Sequence, residues 1–392
     1  MSFKELFDFK NMDKNRKIIT ISVMAAIVIA IVVVIIALAT GGKEDNTDKD
    51  KEQSTPAPVE SKAPIESDEP KETITPQATA TVEPTKTPFP AGVNRLTGEP
   101  MDEELAAKRP IAIMVNNIKA ALPQSGISEA DIVYECNAEG GITRLMCIFQ
   151  NPTGDRIGSV RSVRHYYASF ASEYDAIFCC VGGSTAGIEK LDELGMDYLN
   201  GLRGPGVRLT YRDKKLKAPH NAFTSIENIN ECIKRGEFRT QYKGRDDNHW
   251  TFYDNDTQLE SDKVANKVSV KMSGSTTPYF VFKDGVYYRY QHGGPHIDNV
   301  NNKQLSFKNV IVMYVIQNKM DSYGRQDMEI ENNTGNGYYI TNGKYVPITW
   351  TKNEKAGTMQ YLDKDGKLLN INKGKTCIMV VPNTLVEGTK FE

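Results

Sequence analysis

The sequence predicts a layered α/β (α+β) protein: an N-terminal mixed α/β domain, then a mostly antiparallel β domain, both preceded by a transmembrane helix and a disordered linker. Three observations carry this. Ile18 to Ala39 is an unbroken run of 22 uncharged, mostly aliphatic residues. Gly41 to Lys108 holds nine of the eighteen prolines. From Arg109 apolar strand runs mix with helical stretches to about position 249, and from about Trp250 strand and turn signals dominate.

Residues 1–17 are polar, with Lys4, Lys10, Lys14, Arg16 and Lys17. At 1.5 Å per residue, the run 18–39 spans about 33 Å, enough for a hydrocarbon core of about 30 Å. A secretory apolar region is shorter, about 7–15 residues. The basic flank puts 1–17 in the cytoplasm and the rest outside. Ala37-Leu38-Ala39 also fits a small-residue cleavage site, so a removed signal peptide is the alternative to an uncleaved anchor. In 41–108 Phe89 is the only aromatic. Such a segment cannot bury enough apolar surface to offset its ordering entropy. It is expected to be a linker, on the order of 45 Å long as a flexible coil.

Ile111–Val115 is a continuous apolar run, expected as a strand buried on both faces. Ile132–Glu139 and Ile142–Gln150 flank Gly140-Gly141, a hairpin signal. Ser162–Glu173 has helical spacing of Val163, Tyr166, Tyr167 and Phe170, and Tyr174–Val181 is a further buried strand. Ser184 is placed to cap a helix that stops at Gly195. Thr224 and Glu227 are spaced as a capping box for a helix closed by Gly236. Beyond position 250 the expected strands include the alternating Val268, Val270 and Met272, the pair Tyr279–Phe282 and Val286–Tyr290, then Val310–Ile316 and Cys377–Val381.

A formal net charge of −2 excludes a dedicated nucleic-acid binder, which would carry a basic excess. Residues 1–108 hold 13 of the 48 Lys and Arg and 18 of the 50 Asp and Glu, which leaves the body with three surplus positive charges. The six cysteines (Cys136, Cys147, Cys179, Cys180, Cys232, Cys377) form no CxxC pair and no metal-ligand spacing. Buried reduced thiols are expected, with a cross-hairpin Cys136–Cys147 disulfide as the alternative.

Several polar stretches in this order resemble the YerB-like (DUF3048) family of bacterial envelope proteins. They are RPIAIMVNN (Arg109–Asn117), PQSGISEADIVYE (Pro123–Glu135), EGGITR (Glu139–Arg144), IGSVRSVRHYY (Ile157–Tyr167), EYDAIFCCVGGS (Glu173–Ser184), YRDKKLKAPHNAFTS (Tyr211–Ser225) and GGPHID (Gly293–Asp298). The resemblance covers Arg109 to about Pro382. It implies an exported, membrane-associated protein with a mixed N-terminal domain (109–249) and a smaller C-terminal β domain (250–392), and no settled activity. Many relatives look like lipoproteins. This chain has no cysteine before Cys136, so the transmembrane helix is expected to replace the lipid anchor.

Three constellations could carry chemistry. Glu139, Arg144, Arg161, Arg164 and His165 crowd one segment, with Glu135 expected on the same strand face as Glu139. Arg161 and Arg164 stand at a helix entry, where backbone N–H groups favour an anion and guanidiniums grip carboxylate or phosphate in bidentate fashion. A structural ion-pair network is the plain alternative. Arg212-Asp213 leads into a basic loop ending in Pro219-His220-Asn221, where His220 could act as a base or an anion contact. His292, His296 and Asp298 are weak metal candidates in a loop, against a turn held by His296 and Asp298.

The function expected is a tethered extracytoplasmic module that binds an anionic ligand or cell-wall polymer. Its cleft would lie between the two domains, lined by Glu139, Arg144, Arg161, Arg164, His165, Asp213, His220 and Asn221. One rival is a wall-directed hydrolase or transferase using Glu135 or Glu139 with His220; another is a scaffold for secreted or envelope proteins. G-x-S-x-G is absent, and no cofactor is expected.

Overall fold

A computed structural model describes residues 89–244, 249–353 and 357–392. The expected transmembrane run Ile18–Ala39 and residues 41–88 of the expected linker lie outside the described residues. Among the described residues no helix is long and apolar enough to cross a membrane.

The folded body begins earlier than Arg109. Leu96 is fully buried, Asn94 donates to the Asp131 carboxylate at 3.0 Å, and Arg95 lies over the Tyr242 ring at 3.7 Å. A one-turn helix, α1 (Glu103–Ala106), follows, with the Asp102 side chain accepting from the Leu105 N–H. Proline content marked this stretch as linker. What it could not reveal is that a single leucine finds a core.

In chain order the body comprises β1 (Ile111–Asn116), β2 (Ile132–Asn137), β3 (Thr143–Phe149), β4 (Ile157–Gly158), α2 (His165–Ser172), β5 (Ile177–Cys180), α3 (Thr185–Glu193), β6 (Tyr198–Asn200), β7 (Tyr211–Arg212), β8 (Ala222–Thr224) and α4 (Ile226–Arg235). It continues with β9 (Lys267–Val270), β10 (Tyr279–Lys283), β11 (Val286–Gln291), β12 (Asn309–Val315), β13 (Asn333–Thr341), β14 (Lys344–Lys352), β15 (Gln360–Leu362), β16 (Thr376–Pro382) and β17 (Thr389–Phe391).

The main sheet of the described residues has ten strands in the order β15-β14-β13-β12-β16-β2-β3-β1-β5-β6. Strands from before and after position 250 share it. The expected hairpin is present: β2 and β3 pair antiparallel from Asn137↔Thr143 back to Ile132↔Ile148. Its turn places Gly140 and Gly141 at φ +56° and +76°, a left-handed backbone that glycine adopts without steric cost. The late apolar strand β16 does not close an edge. It runs parallel between β2 and β12, in the middle of the sheet, which suits a run buried at every position. A second sheet of six strands holds Gly294–Pro295, β11, β10, β9 and β17 in that order, with Ser306–Phe307 paired to β11.

Strand alternation divides the core into two layers. Ala112, Met114, Tyr134, Met146 and Ile148 pack with Tyr166, Tyr167 and Phe170 of α2 and Leu191 of α3. Ile113, Val115, Val133, Leu145 and Cys147 pack with Val268, Val270, Phe280 and Tyr287 of the second sheet and with Ile229 and Cys232 of α4. At about 1.5–3 kcal/mol for each large aliphatic or aromatic side chain buried, these two layers dominate the driving force for folding. All six cysteines are free and buried. Cys136 and Cys147 lie in opposite layers, with Cys136 opposite Arg144 and Cys147 opposite Val133 across the hairpin. That geometry rules out the disulfide alternative.

Ser184 caps α3, its side chain accepting from the Gly187 N–H, as expected. For α4 the cap is Ser225, which accepts from the Asn228 N–H, and not Thr224. Thr224 is the last residue of β8 and donates its hydroxyl to the Leu209 carbonyl at 2.7 Å. Adjacent Thr and Ser are both good caps, and the strand claims the first.

Candidate functional site

β1 and β2 both run antiparallel to β3, and β5 and β6 run parallel to β1, so the carboxyl ends of β1, β2, β5 and β6 share one edge of the main sheet. In open α/β sheets that edge is where ligands gather. The segment Val160–Val163 is sewn across it. The Arg161 N–H donates to the Met114 carbonyl (2.9 Å), and the Arg161 carbonyl accepts from the Val181 N–H (3.0 Å). Helices α2 and α3 start at the same edge. Gly187 allows this approach, since a Cβ there would stand 2.9 Å from the Val163 carbonyl oxygen.

Four guanidiniums and one carboxylate meet at this edge. The Glu139 carboxylate is shared by Arg144 and Arg164; the Arg164 contact is 2.6 Å. Arg144 also donates to the Ser162 carbonyl at 2.8 Å, and Arg164 to that of Val163 at 2.8 Å. Burial, then the Arg164 charge, brings Arg144 down to about 10, which leaves it a cation at neutral pH. Arg161 is half-buried and has no hydrogen-bond acceptor among the described residues. Burial pulls its pKa down; Glu139 opposes this, while Arg164 and Arg212 add to it. The Nε–H groups of Arg144, Arg161 and Arg164 are all buried without an acceptor.

His220 stands beside Arg161. Burial, then the Arg161 charge, lowers its pKa below the ordinary histidine range, so it is neutral at pH 7. Its Nδ1 lies 2.8 Å from Asn116 Nδ2, and Arg212 donates to Asn221 Oδ1 at 2.9 Å. The structure therefore brings together Glu139, Arg144, Arg161, Arg164 and His220, with Asn221 attached through Arg212.

Three expected members turn their side chains elsewhere. The His165 ring turns to Asp327 (2.8 Å), on a two-stranded hairpin formed by Gln317–Lys319 and Gln326–Met328. Asp213 accepts from Arg156 at 2.8 Å and is held below the ordinary carboxylate range by the Lys215 N–H, then by Arg156. Glu135 faces the opposite side of the sheet from Glu139, because the strand ends at Asn137 and its period of two does not extend through the Gly140-Gly141 turn. The side chain of Glu135 is fully buried, accepting from Asn117 (3.0 Å), Thr143 (2.6 Å) and Arg289 (2.7 Å). The two carboxylates that glycosidic chemistry requires at one site are not brought together here.

The His292/His296/Asp298 loop is likewise taken apart. His296 Nδ1 accepts from Arg289 Nε (3.1 Å), which leaves Nε2–H to donate to Gln124 Oε1 (2.7 Å). Burial, followed by the charges of Arg289 and His292, drives the His296 pKa well below the ordinary range. Asp298 accepts from the N–H groups of Gly126 (2.9 Å), Ser128 (2.8 Å) and Val300 (2.9 Å) rather than from His296. His292 approaches the Asn117 carbonyl at 3.3 Å. Among the described residues no trio of His, Cys, Asp and Glu is grouped to hold a metal. The loop is a strut: Gln124, Gly126, Ser128 and Glu135 on the main-sheet side engage His296, Asp298 and Arg289 on the other.

Sequence reasoning missed Arg289, Gln124 and Asn116. The available signal for Arg289 was alternation in β11, where Tyr287, Arg289 and Gln291 are the buried positions. A cation on the inward side of a strand needs a buried partner.

Family models for the N-terminal and C-terminal domains of a protein of unknown function, DUF3048, match residues 96–239 and 268–378. YerB of Bacillus subtilis (strain 168), a protein described as a candidate lipoprotein, is 31% identical over 291 residues, covering 74% of this chain and 86% of YerB. The chain belongs to the DUF3048 family. The crystal structure of YerB from Bacillus subtilis superposes with a TM-score of 0.66 at 28% identity, over 76% of this chain and 99% of that one. Both DUF3048 segments contribute to the strut, since Gln124 and Glu135 fall in the first and Arg289, His296 and Asp298 in the second.

Proposed function

We propose that this DUF3048 protein is a membrane-tethered, extracytoplasmic binding module that holds an anionic group of a ligand or wall polymer at the carboxyl-end edge of its main sheet. One observation carries the reading: Arg161 is fixed by its backbone on both sides, yet its guanidinium has no acceptor among the described residues. Three further guanidiniums surround it, and the one carboxylate present is already shared by Arg144 and Arg164. A buried donor without an acceptor costs about 1–3 kcal/mol, more for a charged group, and an incoming anion would relieve that cost. The run Ile18–Ala39 and the envelope character suggested for YerB support the location.

The test is co-sedimentation of the detergent-solubilised full chain with anionic wall polymer, before and after its anionic groups are chemically blocked. Binding that falls on blocking, and falls for Arg161→Met, supports the reading. Binding indifferent to both removes it. Protease added outside intact cells tests the topology: the folded body is digested if it faces outward and protected if it does not.

A further inference from the structure

Resting on the anion-site reading above, we infer that the Arg161 site selects a phosphomonoester, a dianion, over phosphodiester or carboxylate groups, which are monoanions. Charge favours the dianion. Glu139 is bonded to both Arg144 and Arg164, whereas neither Arg161 nor Arg212 has a carboxylate partner among the described residues. The acceptor of Arg212 is the uncharged Asn221 amide oxygen. Arg161 and Arg212 are close enough for the charge of one to depress the basicity of the other. One carboxylate, Glu139, faces the four guanidiniums, so the cluster keeps an excess of positive charge that a group carrying two negative charges neutralises better than one carrying a single charge.

Hydrogen-bond polarity points the same way. Asn116 Oδ1 faces the Ile118 N–H (3.4 Å), so its Nδ2 is the atom donating to His220 Nδ1. The proton of His220 is therefore on Nε2, which has no acceptor among the described residues. The buried groups that the edge arginines leave open, the Nε–H of Arg144, Arg161 and Arg164, are donors as well. A site rich in open donors favours an acceptor-only ligand, and a fully ionised phosphomonoester presents three equivalent oxygens. A diester presents only two such oxygens and a single charge, and so leaves donors unmet.

Isothermal titration of the detergent-solubilised full chain with methyl phosphate, dimethyl phosphate and acetate at pH 7.5 tests this, because only the first is a dianion there. The expected result is methyl phosphate binding at least about tenfold tighter than the other two, with Arg161→Met and Arg212→Met each losing about tenfold or more. Arg161→Lys keeps the charge but not the planar fork, and is expected to fall between. Thermal unfolding of each variant separates lost binding from lost folding. Dimethyl phosphate or acetate binding within about threefold of methyl phosphate overturns this inference while leaving an anion site standing. Failure of all three to bind overturns the anion site as well.

Discussion

Glu135 and Arg289, 154 positions apart in the chain, form an ion pair at 2.7 Å with both side chains fully buried between the two sheets. Asn117, Thr143, Gln291 and His296 take up most of the remaining hydrogen-bonding capacity of the pair. A buried pair costs desolvation, but removing one partner leaves an isolated charge in the interior. Arg289→Met or Glu135→Leu alone is expected to cost about 3–5 kcal/mol, whereas the double replacement recovers much of that loss. Urea unfolding of the four proteins measures the cycle. A double variant as unstable as the sum of the singles would show that the pair is not coupled.

Acid should loosen the body between pH 6.5 and 5. His296 is held neutral by burial, then by Arg289 and His292, and His249 is brought down to about 3 by burial, then by Lys352. Their folded pKa values lie below the unfolded value of about 6.5, so the unfolded chain takes up protons first and stability falls as pH drops through that window. Each contributes a slope of up to about 1.4 kcal/mol per pH unit. Glu173 and Asp131 act in the opposite sense near their own range, since burial raises both. Urea midpoints at pH 7, 6 and 5 should decline in order, and His249→Gln should flatten the decline. A level profile would contradict the burial of these rings.

The arginines of the edge should separate by role. Arg164→Met leaves the partly buried Glu139 short of one partner and lowers stability by about 1–3 kcal/mol. Arg161→Met removes a buried donor that has no acceptor and should leave the protein at least as stable as the parent, by up to about 1–3 kcal/mol more. Paired denaturation curves check this. A large loss on replacing Arg161 would mean its guanidinium has a structural partner.

Ser225→Ala should destabilise by about 1 kcal/mol through the lost cap of α4, and Glu227→Ala by far less. A loss on Ser225→Ala no larger than that on Glu227→Ala would contradict Ser225 as the cap.

Burial raises the pKa of the thiols, with Cys180 and Cys377 pushed up to about 12. The native protein should therefore leave all six cysteines unreacted with an aromatic disulfide reagent and release six equivalents in denaturant. Fewer than six under denaturing, non-reducing conditions would reveal a disulfide.

Much of the edge cluster was legible because its members are neighbours in sequence: the hairpin turn and the strand-to-helix entry bring Glu139, Arg144, Arg161 and Arg164 together by local geometry. The strut was not. Arg289, His296 and Gln124 meet only when two distant segments stack, and the loop spacing of His292, His296 and Asp298 gave no indication of where each side chain points. Nor could periodicity place β16 between β2 and β12, since an apolar run reads the same at a centre or an edge.

The most direct measurement is a crystal of the full chain soaked in selenate, read by anomalous scattering at the selenium edge. A peak is expected within about 4 Å of the Arg161 guanidinium, absent in Arg161→Met. Anomalous density at other surface sites with none beside Arg161 would contradict it.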